Sequence, residues 1–138
     1  MNLASKTEMP RPKSIFGVEL DPIFDLFEKS GFLTQYNGNL RGISGDVHDF
    51  DIVSKNDRYR IVFAFVPRSQ DGSEGMQIEL VKLRAKAYDC TPDLVIVIYP
   101  SRPGEKMKEL AQYYRFVLVD GSSEIREKLR RVLVDAFP

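Results

Sequence analysis

The chain has 138 residues, 43% apolar and 29% charged, with 20 lysines and arginines balanced by 20 aspartates and glutamates. That length suits one domain with one real core, and the composition excludes wholesale disorder. Zero net charge excludes a general attraction to nucleic acid, so any such contact needs a local patch, and a lone Cys90 excludes an internal disulfide or a cysteine-rich zinc site.

A single cysteine points to a reducing, cytoplasmic setting. No apolar run approaches the roughly 20 residues that a bilayer span needs, and residues 1–14 have no signal-peptide core, so neither a membrane nor secretion is expected. Lys6, Pro10, Arg11, Pro12 and Lys13 with few apolar neighbours make 1–14 a flexible N-terminal arm, leaving 15–138 as the single domain.

From Asp21, apolar Ile23, Phe24, Leu26 and Phe27 cluster on one side of a helix that Asp21 can cap, Pro22 can open and Gly31 can end. Residues 32–36 read as a strand. The glycine-rich stretch 37–45 reads as a turn or exposed loop, and 47–54 and 58–66 read as two further strands. Asn56 and Asp57 tolerate a left-handed backbone and so suit the hairpin between them, which makes the first three strands antiparallel neighbours.

A polar loop follows, and then Met76, Leu80, Leu83 and Ala87 repeat at helical spacing to about Tyr88. The continuous β-branched run 94–99 suits a central strand buried on both faces. Met107, Leu110, Ala111 and Tyr114 mark a third helix, 116–119 a short strand, and Gly121 a break. After Ser122 or Ser123 a last helix turns Ile125, Leu129, Val132, Leu133 and Ala136 inward. The order is α-β-β-β-α-β-α-β-α.

That order over residues 15 to about 99 resembles the core of the PD-(D/E)XK restriction-endonuclease-like superfamily. The segment Gly42-Ile43-Ser44-Gly45-Asp46-Val47-His48-Asp49-Phe50-Asp51-Ile52-Val53 is similar to the Gly-x-x-Gly-x-x-His-x-Phe-Asp pattern of its Mrr-like members, as is Lys86-Ala87-Tyr88-Asp89. The resemblance implies an α/β fold with three layers, α/β/α, around a mixed sheet. It also implies that Asp51 binds a divalent metal, Mg2+ in an active enzyme, with an acid on the next strand and a lysine two residues later. The matching positions hold Ala64 and Val66, which can neither bind a metal nor carry a proton, provided that the hairpin sets Ala64 beside Asp51. Losing both groups removes a metal anchor and a charge stabiliser, so a standard catalytic site is not expected.

Each candidate has a second reading. Asp51 is either a ligand in a cleft or an edge carboxylate facing water or capping a loop. His48, the only histidine, either joins Asp46 and Asp49 in a cation-attracting loop or is a turn residue satisfied by backbone hydrogen bonds; the structural reading is preferred. The resemblance makes Glu28 a further metal ligand and makes Glu79 and Lys82 relocated replacements for the missing acid and lysine, yet Glu28 also suits a solvated helix face and Glu79 with Lys82 an ordinary surface pair. Lys82 with Lys86, or Arg126 with Arg130, could touch phosphates. Tyr113, Tyr114 and Phe116 near Arg115 are read as core and strand residues, not as a base-stacking platform.

Three functions follow as expectations. The first is a catalytically impaired nuclease-fold domain that binds nucleic acid or a protein partner in nucleic-acid metabolism. The second is an active magnesium-dependent nuclease with a relocated residue, and the third a structural interaction module or homodimer.

Overall fold

A computed structural model describes residues 10–67, 74–100 and 103–137, with residues 74–76 described by backbone alone. Most of the expected arm, 1–9, and most of the polar loop, 68–73, lie outside the described residues, as does the side chain of Met76. Arg11, within the expected arm, donates to Asp21 and lies 4.1 Å over the Phe24 ring.

The fold is α/β. A five-stranded mixed sheet in the order β3-β6-β7-β8-β9 is formed by Leu33–Tyr36 (β3), Ile52–Lys55 (β6), Arg60–Phe65 (β7), Leu94–Tyr99 (β8) and Val117–Asp120 (β9). The first three pair antiparallel, as expected, and β8 and β9 join parallel. Among the described residues the helices are α1 (Asp21–Lys29), α2 (Glu74–Cys90), α3 (Glu105–Tyr114) and α4 (Ile125–Ala136).

Alternation along the buried strands sends side chains into two cores. Ile96 and Ile98 of β8 join Ile52, Phe63 and the apolar sides of α1 and α4. Val95 and Val97 join Val53, Val62 and the inner sides of α2 and α3. Helices therefore cover both sheet faces, which is why β8 is an unbroken apolar run. The expectation that β8 is central is corrected: β7 holds the middle, with β6 and β3 on one side and β8 and β9 on the other.

Several local readings also change. The strand expected over 47–54 is two strands: Val47–Asp49 (β5) pairs with Asn39–Arg41 (β4) in a separate hairpin, and the chain bends at Phe50 and Asp51 before β6 enters the main sheet. Stretch 37–45, expected as one loop, thus contains β4. Asn56 and Asp57 turn without positive φ; the Asn56 side-chain oxygen instead accepts the Arg58 and Tyr59 N–H groups, delaying β7 to Arg60. Helix α1 is capped at Leu20 with Asp21 already helical, and α4 is capped by left-handed Glu124, not by a serine. A short ribbon, Ser14–Ile15 (β1) with Val18–Glu19 (β2), precedes α1.

Candidate functional site

Asp51 stands at the bend between the small hairpin and the sheet. The register pairs Ile52 with Phe63, and continued by one residue it sets Asp51 against Ala64. Asp51 Oδ2 accepts the Phe65 N–H at 2.7 Å. This half-buried carboxylate therefore satisfies the backbone of β7 where the ladder has ended, the loop-capping reading of Asp51. Burial pushes its pKa up, against the lowering effects of the Phe65 N–H and the Lys86 charge, while Glu79 adds to the rise.

Helix α2 covers this side of the sheet and brings Glu79 and Lys86 within electrostatic reach of Asp51. Lys86 Nζ donates to the Asp49 carbonyl at 2.8 Å and lies 5.6 Å over the Phe50 ring. The lysine tied to the bend is thus Lys86, while Lys82 is an exposed partner of Glu79 at 3.8 Å. Glu28 is exposed on α1, the helix that packs with Ile52 and Phe63 on the opposite face of the sheet. The structure gathers Asp51, Glu79 and Lys86 but leaves Glu28 apart. Among the described residues no group of three acidic, histidine or cysteine side chains could hold a metal ion. With Ala64 and Val66 contributing no oxygen, these residues do not fit a magnesium centre built on two strand carboxylates.

The hairpin end of the motif is held by a clamp. Asp89, in the last turn of α2, accepts the Ser44 N–H at 2.9 Å on Oδ1, and the Ser44 hydroxyl at 2.6 Å and His48 Nε2 at 2.8 Å on Oδ2. The Ile43 N–H donates to the Asp89 carbonyl at 2.9 Å. A Cβ on Gly42 would lie 1.8 Å from Asp89 Oδ2, so the helix approaches this close only because residue 42 is glycine. Hydrogen bonds from the Ser44 hydroxyl, the Ser44 N–H and His48 hold the Asp89 carboxyl down at about 2. An ionised carboxylate only accepts, so His48 Nε2 carries the proton.

Serine, histidine and aspartate meet here without the order that nucleophilic catalysis needs. The histidine must lie between the hydroxyl and the acid, whereas here Asp89 lies between the other two and takes the hydroxyl hydrogen bond itself. The reading of His48 as a turn residue satisfied by backbone is corrected: it lies in β5, paired with Leu40, and its side chain bonds the Asp89 carboxylate. Ser44 and Asp89 were visible only as members of short motifs, and nothing local to either motif pairs residues so far apart in the chain.

The arginines expected as alternative phosphate contacts are neutralised. Arg126 donates to Asp25 of α1, and Arg130 donates to Glu127 one turn away. Tyr114 and Phe116 are inner residues, with ring centroids 5.5 Å apart, but Tyr113 is 79% exposed, correcting its reading as core.

No family model matches the chain. CBL-interacting protein kinase 25 of Oryza sativa subsp. japonica is 27% identical over 136 residues, covering 94% of this chain and 25% of the kinase. The chain thus spans a quarter of that relative. A crystal structure of a protein of unknown function, AF1548, matches with a TM-score of 0.56 at 19% identity, covering 82% of this chain and 62% of that one. At this identity the likeness is one of fold.

Proposed function

We propose that the chain is a restriction-endonuclease-like domain of the PD-(D/E)XK, Mrr-like type whose catalytic centre is impaired, and that it works by binding nucleic acid or a protein partner in nucleic-acid metabolism. The observation that carries this reading is the β6-β7 register, which sets Ile52 against Phe63 and, continued by one residue, Asp51 against Ala64. The position where the resemblance demands a second acid is a methyl group, and the lysine position two residues on is the buried Val66. The remaining carboxylate is partly spent on the Phe65 N–H. A centre with one anchored carboxylate lacks the second oxygen donor that would fix a metal and orient water.

The second reading, a relocated active site, draws support from Glu79 and Lys86, which act on Asp51 from α2. Titration with Mn2+ separates the two through paramagnetic broadening of assigned amide signals. The impaired centre gives no saturable broadening focused on Asp51 and Ala64. Focused, saturable broadening that disappears in both Asp51→Ala and Glu79→Ala would establish the relocated site instead.

A further inference from the structure

Helix α2 has two apolar sides. Leu80, Leu83 and Cys90 are buried in the second core, while Ile78, Val81, Ala85 and Tyr88 lie exposed, at 51%, 52% and 77% for the first, second and fourth. Their spacing of three, four and three residues is that of the a and d positions of a helix-pairing seam. At its Tyr88 end the seam opens into a cleft of about 290 Å³ lined by Arg84, Tyr88, Asp93, Tyr114 and Arg115. The Arg84 guanidinium lies 4.6 Å over the Tyr114 ring. Arg84 and Arg115, like Arg41, Arg58 and Arg60, have no carboxylate ion pair among the described residues, whereas Arg11, Arg126, Arg130 and Arg131 do. Asp93, also in the cleft, accepts the Arg60 N–H.

We infer that this face of α2 docks an amphipathic helix of a protein partner, with apolar residues along the seam and acidic residues on its flanks that reach Arg84 and Arg115. Charge decides the occupant. A second copy laid antiparallel, which brings like flanks of the seam together, sets Arg84 against the other copy's Arg84. Laid parallel, it sets Arg84 against an Asp89 already taken by Ser44 and His48. Nucleic acid would leave the aliphatic seam unmatched. The inference does not depend on the state of the Asp51 centre, so nuclease activity would not bear on it.

The test uses the full chain and two fluorescent helical peptides of about four turns. Both carry leucine at a and d; one has glutamate and the other lysine at e and g. Anisotropy is expected to show binding of the glutamate peptide about tenfold tighter than of the lysine peptide. Val81→Glu, an exposed change, should abolish it, and the double change Arg84→Ala with Arg115→Ala should remove the preference; amide spectra check that both variants fold. Equal affinity for the two peptides, no binding of either, or binding indifferent to Val81→Glu overturns the proposal. So does self-association in sedimentation that Val81→Glu abolishes, or displacement of the peptide by single-stranded DNA.

Discussion

Asp89 Oδ2 lies 2.6 Å from the Ser44 hydroxyl and 2.8 Å from His48 Nε2, so one carboxylate oxygen at the end of α2 fastens the β4-β5 hairpin to the domain. The three motif residues, which in isolation suggest chemistry, set the position of the bend that carries Asp51.

This clamp predicts a pH dependence. Asp89 is held at about 2, below the ordinary aspartate value near 4, so its contribution to stability is fully present above that ordinary value and is lost as pH falls towards 2. Acid unfolding followed by circular dichroism should be less steep over that interval in Asp89→Asn than in the parent. Identical slopes would mean that the clamp carries no linkage.

Gly42 gives a steric test of the same contact. Gly42→Ala places a methyl group where Asp89 Oδ2 lies, and the forced separation should cost about 1–3 kcal/mol in denaturant unfolding. Hydrogen exchange at the Ser44 amide should rise with it. Unchanged exchange would show that the hairpin is held by other contacts.

How far the sequence could be read depended on whether the signal was local. Strands β7 and β8 and the described helices are visible in apolar periodicity, and the Asn56 turn suffices to predict the antiparallel pairing of β6 with β7, whose register points Asp51 towards Ala64 when continued by one residue. Strand β4 is not legible in the sequence because Leu40 is the one apolar residue between Gly38 and Gly42, too little for a period-2 pattern. The helix starts at Leu20 and Glu124 were missed because neither uses a side-chain cap. The Asp89 clamp and the approach of Lys86 to Asp49 join residues distant in sequence, and only the tertiary fold brings them together.

Asp51 should separate structural from catalytic demand. Its raised pKa means that the cost of burying the charge grows as pH rises through the folded-state value, so Asp51→Asn is expected to gain on the parent more at pH 7 than in acid. The amide oxygen can still accept the Phe65 N–H. Asp51→Ala leaves that donor unmatched and should cost about 1–3 kcal/mol. Thermal unfolding of the three proteins at two pH values checks the ordering, and an Asn variant as unstable as Ala would contradict it.

If the chain binds nucleic acid, affinity should be modest and steeply salt-dependent, with net charge zero and Arg126 and Arg130 already paired. Changing Lys82 and Lys86 together to alanine should weaken binding of labelled DNA and RNA and reduce the salt slope by about one unit per lost contact. Because Lys86 also anchors Asp49, the variant's stability is measured alongside. Unchanged binding in a folded double variant would move the phosphate contacts to another face.

The most direct measurement is cleavage of single- and double-stranded DNA and of RNA by the purified chain with Mg2+ or Mn2+, beside Asp51→Ala and Glu79→Ala. With Ala64 where the proposed nuclease-like centre would need its second carboxylate, the parent is expected to match the Asp51→Ala background with every substrate. Turnover in the parent that Asp51→Ala abolishes would contradict the impaired centre, and its loss in Glu79→Ala as well would place the missing acid on α2.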